Sequence, residues 1–227
     1  MKRDPEEQLI KLNYQFYQQT ANQFDQTRQT AWAGWQQLIS LLPDKLSVLD
    51  LGCGNGRFYQ FLRQRYPGSF KYVGVDFCPN LIQIAQQRYP EVQFVDDSVF
   101  HYQPTQSFTL IVFWAVLHHI PGYQQRLNLL IRYRPWLKPG GWLAFSLWQF
   151  DTLPIWHKAT PVSPHTQDYL LPWQNQTNAR YCHLFTATEL EELNQQLKQN
   201  GLQLVATYQA DGRHKRANRY CIYRAKD

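Results

Sequence analysis

Short apolar runs alternate with amphipathic stretches through the middle of the chain. The apolar runs predict five β-strands, which are, in chain order, LSVLDLG, KYVGVD, VQFVD, FTLIVFWAV and GWLAFSLW. The amphipathic stretches between them predict helices over residues 58–66, 80–89 and 124–137. Strands that alternate with helices are typical of βαβ units, and therefore of a parallel sheet whose ligand site lies beyond the carboxyl ends of its strands.

The two flanks of this central region have other patterns. Residues 5–42 are rich in Gln and predict helix, whereas residues 151–181 lack a clean period and predict a loop insertion. Thr186 and Glu189 form a T-x-x-E capping box, which predicts a helix that stops near Gly201, ahead of two closing strands. We therefore expect one α/β domain in four parts: an N-terminal helical cap (1–45), a ligand-binding core (46–149), an insertion (150–185) and a closing helix with strands (186–227).

Composition narrows the class of protein. A chain of 227 residues with 44% hydrophobic content is long enough to bury the core of one domain. The longest apolar run, Leu110 to Leu117, is too short for a membrane span, so we expect a protein of the cytoplasm. Four widely spaced cysteines without a C-x-x-C pair predict reduced thiols and no metal site.

Charge is unevenly distributed along the chain. The formal net charge is +6, and residues 98–150 contain basic residues but no Asp or Glu. Residues 213–227 carry six Lys and Arg residues against Asp227 alone. Such blocks favour a polyanionic partner through counterion release, although a merely solvated basic surface has the same composition.

The stretch VLDLGCGNGRF joins the first predicted strand to the first helix of the core. Its glycines, at positions 52, 54 and 56, let backbone N–H groups approach a ligand closely. Arg57 stands where a dinucleotide fingerprint requires its third glycine, which argues against NAD. Asp50, just before the glycines, suits a ligand with a positive group.

Acids also end the next two strands. Asp76 lies 20 residues after Gly56, where a carboxylate can accept both hydroxyls of a ribose, and Asp96 and Asp97 end the third strand. Acids at three successive strand ends, around a ligand without phosphates, describe the partly cationic nucleoside S-adenosylmethionine.

Residues 47–148 resemble the class I S-adenosylmethionine-dependent methyltransferases. The resemblance rests on five motifs in order, VLDLGCGNG, GVD, VDD, AVLHH and WLKPGGWL. It implies a Rossmann-like fold with a mostly parallel seven-stranded sheet, helices on both faces, an N-terminal helical extension and an insertion after the fifth strand. It also implies a set of residues that bind the cofactor: Asp50, Gly52, Gly54 and Gly56 near the methionine end, Asp76 at the ribose, Asp97 (or Asp96) and Ser98 at the adenine, and Phe77 and Ala115 beside them.

Motifs outside the core resemble a narrower family, the tRNA methyltransferases that esterify 5-carboxymethyluridine at the wobble position. They are FDQTRQTAW near the N-terminus and QDYLLPW and RYCHLFTATELEEL in the insertion. The resemblance implies tRNA as the partner and a small zinc-binding activator subunit. Cys182 and Arg219 depart from the Tyr and Trp usual in that family, which leaves the nucleoside open. A small-molecule carboxyl or hydroxyl O-methyltransferase and a non-catalytic cofactor-binding partner remain the alternatives.

The substrate chemistry follows from that resemblance. A carboxylate is already anionic at neutral pH, so it needs no general base, and positioning supplies most of the catalysis. Arg28 and Arg180 are the predicted anion clamps, and His119 follows the strand that faces the reacting methyl. The predicted substrate-binding residues are Tyr17, Trp148, Trp173, Tyr181, His183 and Asn218.

Overall fold

A computed structural model describes residues 4–173 and 178–226 of the chain. The helices of this part are α1 (Pro5–Thr27), α2 (Trp35–Ile39), α3 (Arg57–Arg65), α4 (Pro79–Arg88), α5 (Tyr123–Tyr133) and α6 (Ala187–Gln199). The strands are β1 (Lys45–Leu51), β2 (Ser69–Asp76), β3 (Gln93–Asp96), β4 (Phe108–Trp114), β5 (Leu137–Trp148), β6 (Thr160–Pro161), β7 (Asp168–Pro172), β8 (Ala179–His183), β9 (Leu202–Ala210) and β10 (Asn218–Ala225). As far as these residues go, none of the helices is both long and apolar enough to cross a membrane.

Seven strands form the main sheet, in the order β3-β2-β1-β4-β5-β10-β9. Neighbouring strands from β3 to β5 pair in parallel, and β10 runs antiparallel to both β5 and β9. The mostly parallel seven-stranded sheet expected from the sequence is therefore confirmed. The strand order reverses between β1 and β4, and ligands of doubly wound sheets bind at such a switch point.

Both faces of the main sheet are covered by helices. Leu49 and Leu51 of β1 pack into a core that includes residues of α5 and α6, whereas Val48 packs into a second core with residues of α2, α3 and α4. Successive residues of a strand point to opposite faces, so one strand serves both cores. Helices on both faces were expected from the resemblance to class I methyltransferases and are confirmed.

The N-terminal helical segment differs from the prediction of helix over residues 5–42. Asp4 caps α1 by accepting a hydrogen bond from Glu6 N at 3.0 Å, but the helix stops before Arg28, whose φ is −122°. Gly34 N donates to the Asp211 carboxylate, and Gly34 O accepts from Tyr208. These tertiary bonds hold residues 28–34 in a non-helical path, overriding the local preference of a Gln-rich sequence for helix.

The insertion also differs from its prediction, because it is not simply a loop. After two short 3₁₀ turns, β6, β7 and β8 form an antiparallel sheet in which Leu170 pairs with Tyr181. Phe150, Leu171 and Cys182 form a small buried apolar cluster beneath it. The capping box is confirmed in α6, where Glu189 N donates to Thr186 Oγ1 at 3.1 Å.

Candidate active site

A cavity of about 1190 Å³ lies beyond the carboxyl ends of β1 to β5, and α1 borders it. Most of the residues expected at a site line this cavity. They are Tyr17, Arg28, Asp50, Gly52, Gly54, Asp76, Phe77, Asp97, Ser98, Ala115, His119, Trp148, Arg180 and Asn218. The fold therefore brings together side chains from the N-terminal helix, the five strand ends and the insertion, which are far apart in sequence.

Asp50 is the most deeply buried acid of the cavity wall, with 1% of its surface exposed. One carboxylate oxygen accepts from the Tyr72 hydroxyl, and the other, Oδ1, has no hydrogen-bond partner within the described residues. Burial raises the pKa of Asp50 to about 7. A buried carboxylate with a free oxygen is stabilised by a cationic partner, because such a partner lowers the cost of ionising it.

Asp76 sits at the end of β2, next to the glycine loop. Its two carboxylate oxygens accept from Gly54 N and Cys78 N, each at 2.9 Å. Burial raises the pKa of Asp76 to about 6, even though both hydrogen bonds oppose the rise. Each carboxylate oxygen can accept a second bond, so the pair of oxygens can still receive a diol.

Two of the glycines in the loop serve different purposes. Gly52 has φ +81° and lies against the Val116 side chain, which leaves no space for a Cβ beside the cavity. Gly56, at φ +78°, starts α3, and a Cβ there would meet Phe94 and Tyr89 at 3.1 Å. Gly56 is not among the described residues that line the cavity, so core packing rather than ligand contact requires a glycine at this position.

The acid-bearing half of the cavity fits S-adenosylmethionine, the cofactor that the motifs imply. The unpartnered buried oxygen of Asp50 suits a positive group, and Asp76 suits a ribose diol. Asp97 follows β3, and its Oδ1 accepts from Ser98 N at 2.7 Å, which leaves its second oxygen for an amino donor. None of these groups is a phosphate-binding cation, in agreement with a ligand that has no phosphate.

The opposite half of the cavity, the arginine half, contains Arg28 and Arg180. The guanidinium carbons of Arg28 and Arg180 lie 4.9 and 4.8 Å from the ring centroid of Trp173, and Arg180 lies 4.8 Å from that of Trp148. In residues 4–173 and 178–226, no ion pair includes either arginine. Burial, and then the charge of Arg180, lower the pKa of Arg28. Two neighbouring cations without acidic partners form a site for an anion.

His119 lies between the two halves, after β4. Its Nδ1 donates to the Tyr181 carbonyl at 2.9 Å, and its Nε2 accepts from the Tyr17 hydroxyl at 2.8 Å. Burial lowers the pKa of His119 to about 3, so the ring is neutral at physiological pH. The imidazole thus fixes the position of the Tyr17 hydroxyl, and neither of its nitrogens is left to remove a proton from a ligand.

Three other predicted substrate residues stand behind the cavity wall. Trp173 is buried, and it supplies the ring on which both arginines lie. Tyr181 and His183 point away from Arg180, because alternate residues of β8 face opposite sides. The Tyr181 hydroxyl and His183 Nδ1 both bind the Asp168 carboxylate, at 2.5 and 2.7 Å. For Tyr181 and His183, the structure does not show the cavity position that the sequence predicted.

The far side of β8 is a buried ionic cluster. His183 Nε2 and Arg126 share the Glu189 carboxylate, each at 2.6 Å. The cluster connects β7, β8, α5 and α6 below the cavity floor, and the positive and hydrogen-bonding partners lower the pKa values of Asp168 and Glu189 despite their burial. Its role is to hold the insertion sheet on the core.

The sequence analysis missed Asn13, which positions this part of the site. Asn13 is 4% exposed, and its amide donates to the His119 and Tyr181 carbonyls at 3.0 and 3.1 Å. Its oxygen accepts from Tyr181 N at 2.7 Å, so α1, β8 and the His119 turn are joined by one side chain. The sequence did contain an indication of this role, because Asn13 is a polar residue on the buried face of α1, three positions before Phe16.

The two basic segments have different positions in the structure. In residues 98–150, Arg126 is buried in the ionic cluster, whereas Arg132 and Lys138 are exposed, so only part of this segment is a cationic surface. The loop between β9 and β10 holds exposed Arg213, Lys215 and Arg216, and Lys215 lines the cavity. The second segment matches the expectation of a basic surface beside the site.

The chain is similar to known methyltransferases in sequence and in fold. The chain is 26% identical over 202 residues to "tRNA (carboxymethyluridine(34)-5-O)-methyltransferase" of Schizosaccharomyces pombe, covering 79% of this chain and 85% of that protein. It is 29% identical over 138 residues to "tRNA (carboxymethyluridine(34)-5-O)-methyltransferase ALKBH8" of Macaca fascicularis, covering 61% of this chain and only 20% of that longer protein.

A solved structure shares the fold along the whole chain. The 1,6-didemethyltoxoflavin-N1-methyltransferase of Burkholderia thailandensis, solved with S-adenosylhomocysteine, has a TM-score of 0.70 and 18% identity, covering 100% of this chain and 93% of that one. This likeness shows the Rossmann-like class I methyltransferase fold. A family model described as a methyltransferase domain matches residues 24–207, and the chain therefore belongs to the methyltransferase-domain family.

Proposed function

We propose that this protein methylates the carboxylate of 5-carboxymethyluridine at the wobble position of tRNA, giving a methyl ester. The observation that carries the proposal is the pair Arg28 and Arg180, which converge on Trp173 without an acidic partner among the described residues. Arg180 is buried and Arg28 is half-buried, and a cation withdrawn from water in this way is costly unless an anion binds it. The names of the similar proteins point to a carboxylate on a nucleoside.

The enzyme takes its methyl group from S-adenosylmethionine. We assign Asp50 and the Gly52–Gly54 backbone to the methionine end, and Asp76 to the ribose. Asp97 and Ser98 take the adenine edge, flanked by Phe77 and Ala115. The half-buried Phe77 ring packs against Tyr17 of α1 at 6.0 Å, so α1 closes this part of the cavity. The bound cofactor supplies an electrophilic methyl on a sulfonium centre.

The reaction needs orientation more than acid–base chemistry. Arg28 and Arg180 hold the carboxylate so that one oxygen faces the methyl, a new O–CH₃ bond forms, and the electrons of the broken C–S bond stay on sulfur. No proton moves, which agrees with the neutral, fully hydrogen-bonded His119. Holding the two reactants in one geometry accounts for a large part of the rate enhancement.

Trp148 and Asn218 complete the assignment of the substrate half. The Trp148 ring lies under Arg180 and at the cavity wall, where it offers a face for the uracil. Asn218 donates to Asp211 at the base of the β9–β10 loop and so holds the loop at the cavity rim. The exposed cations of that loop are placed to contact tRNA phosphates.

The test uses three anticodon stem-loop RNAs that differ only at the wobble position. With labelled cofactor, we expect label in the RNA that carries 5-carboxymethyluridine, and none in RNAs that carry uridine or 5-methyluridine. The two control RNAs have the same backbone charge, so they separate recognition of the carboxylate from general RNA binding. Label only in small molecules, when the protein is given a metabolite extract beside these RNAs, would contradict the proposal and favour a small-molecule O-methyltransferase.

A further inference from the structure

A third arginine lies in the cavity and has no part in the assignment above. Arg57 is the first residue of α3 and lines the cavity near residues 30–33 and the β9–β10 loop. Its guanidinium carbon lies 4.5 Å from the ring centroid of Trp32 and 5.3 Å from that of Trp35. The two indoles, themselves 5.1 Å apart, form a shelf that fixes the guanidinium in the wall.

Arg57 lacks a strong polar partner. Its NH1 donates to the Thr30 carbonyl at 3.4 Å, the long limit of a hydrogen bond, and no ion pair of the described residues includes it. A guanidinium has five N–H donors in a planar fork that matches two oxygens of an anion. Most of that capacity is therefore unused in the protein alone.

Within the described residues, no acid of the chain forms an ion pair with Arg57. Asp211 and Asp50 act on its charge only through space, and the Asp211 oxygens accept from Gly34 N, the Asn218 amide and the Tyr220 hydroxyl instead. Burial, and then the charge of Arg28, lower the pKa of Arg57 to about 10, so it keeps its charge at neutral pH beside a second cation. A bound anion would offset both the cost of burying the Arg57 charge and its repulsion by Arg28.

We infer that Arg57, on its shelf of Trp32 and Trp35, binds a phosphodiester of the substrate RNA next to the modified nucleoside. This inference rests on the proposed function, which places the carboxylate at Arg28 and Arg180. Arg57 lies close enough to Arg28 for the two charges to interact, and Lys215 lines the cavity on the loop side. The three arginines and Lys215 line one cavity, so a polynucleotide can place a phosphate beside its carboxylate there, whereas a small carboxylic acid would leave Arg57 without a partner.

The test compares Arg57→Gln with Arg63→Gln by RNA binding. Arg63 lies on the same helix, pairs with Glu91 at 3.9 Å, and is outside the cavity, so it controls for the loss of one positive charge from α3. The probe is an anticodon stem-loop RNA with 5-carboxymethyluridine, measured by fluorescence anisotropy between about 50 and 200 mM salt. We expect Arg57→Gln to weaken binding about tenfold or more and to reduce the salt slope by about one, and Arg63→Gln to change neither appreciably.

Two further measurements fix the identity of the anion. Arg57→Lys should keep the salt slope and lose part of the affinity, because it keeps the charge but not the planar fork. Calorimetry with S-adenosylmethionine should give the wild-type affinity for Arg57→Gln, which also shows that the variant is folded. Loss of cofactor affinity with unchanged RNA binding would assign Arg57 to the carboxylate of the cofactor and overturn the inference.

Different results would overturn the phosphodiester site and the proposed methyl-ester reaction. Equal RNA binding by Arg57→Gln and Arg63→Gln, or an absence of salt-dependent RNA binding by the wild type, overturns the phosphodiester site. Wild-type protein that binds the RNA through Arg57 but transfers no methyl to the carboxymethyl group overturns the proposed ester and leaves the phosphodiester site supported.

Discussion

The two halves of the cavity bury charges of opposite sign by different means. Asp50 and Asp76 stand at strand ends, where backbone N–H groups or a tyrosine hydroxyl hold each carboxylate, and burial raises their pKa values to about 7 and about 6. Arg28 and Arg180 lie on aromatic rings instead, with few hydrogen bonds within the described part of the chain. Under the proposed function, the acid half receives the cationic cofactor and the arginine half receives the anionic substrate.

One substitution in the acid half should impair cofactor binding without affecting RNA binding by the arginine half. Under the proposed assignment, Asp76→Ala removes the acceptor of two charge-assisted hydrogen bonds to the ribose, each worth about 1.5 to 3 kcal/mol. We expect the Kd for S-adenosylmethionine, measured by calorimetry, to rise by at least about a hundredfold. RNA binding should stay as in the wild type, because the arginine half is untouched.

Asp44→Ala serves as the control for that experiment, since Asp44 is an exposed acid just before β1, at the opposite end of the sheet. An Asp76→Ala protein that unfolds at the wild-type temperature and binds the cofactor with unchanged affinity would remove Asp76 from the site.

The arginine half should respond in the reverse manner. Replacing Arg180 or Arg28 by Ala should lower kcat/KM for the carboxymethylated RNA about a hundredfold, from the loss of roughly 2 to 3 kcal/mol of charged hydrogen bonding in the transition state. Cofactor affinity should stay at the wild-type value. Steady-state kinetics and calorimetry on the same preparation check both expectations.

Arg132→Ala is the matched arginine variant, because Arg132 is exposed on α5, donates to backbone carbonyls and is not among the described residues that line the cavity. The assignment of the two halves would be wrong if Arg180→Ala weakened cofactor binding and left turnover of the carboxymethylated RNA intact.

The pH dependence of cofactor binding sharpens the same comparison. The pKa values of Asp50 and Asp76 are raised, so the protonated forms are favoured in the free protein below about pH 6 to 7. A cationic ligand prefers the ionised forms, and its affinity must therefore rise as the pH rises through these values. We expect binding about twentyfold weaker at pH 6 than at pH 8.

Asp50→Asn should abolish the upper part of this pH dependence, since the substitution removes the group with the higher pKa. Calorimetry at several pH values measures both proteins. An affinity that stays flat from pH 6 to pH 8 in the wild type would mean that neither carboxylate responds to the charge of the cofactor.

The sequence predicted the two halves with unequal success. The acid half could be predicted from local sequence motifs. The glycine loop and the acids at the strand ends each lie in one short motif that directly follows a buried strand. The arginine half depends on tertiary placement. Arg180 and His183 are three residues apart in one motif, yet β8 turns Arg180 to the cavity and His183 to the buried ionic cluster.

Two other features could not be obtained from local pattern. The break between α1 and α2 depends on bonds from Gly34 to the distant residues Tyr208 and Asp211. The basic composition of residues 98–150 suggested a cationic surface throughout, but Arg126 is 3% exposed and pairs with Glu189, whereas Arg132 and Lys138 are exposed. The net charge of a sequence segment does not tell whether a basic residue lies in a buried ion pair or is exposed to solvent.

The smallest expected effect concerns the rim of the arginine half. Replacing Arg213, Lys215 and Arg216 together by Gln should weaken RNA binding roughly tenfold, since exposed charges contribute about 0.2 to 1 kcal/mol each. The salt slope of binding should flatten by about two to three units, whatever the RNA sequence. An unchanged slope in fluorescence anisotropy would place the loop away from the RNA.

The central claim is that the arginine half presents a carboxylate to the methyl group, and the product tests it most directly. Methyl esters are cleaved by brief mild alkali, whereas methyl groups on nitrogen, carbon or an ether oxygen survive it. After reaction with methyl-labelled cofactor and 5-carboxymethyluridine RNA, the RNA-bound label should leave as volatile methanol under this treatment. Label that stays on the RNA through mild alkali would contradict the account.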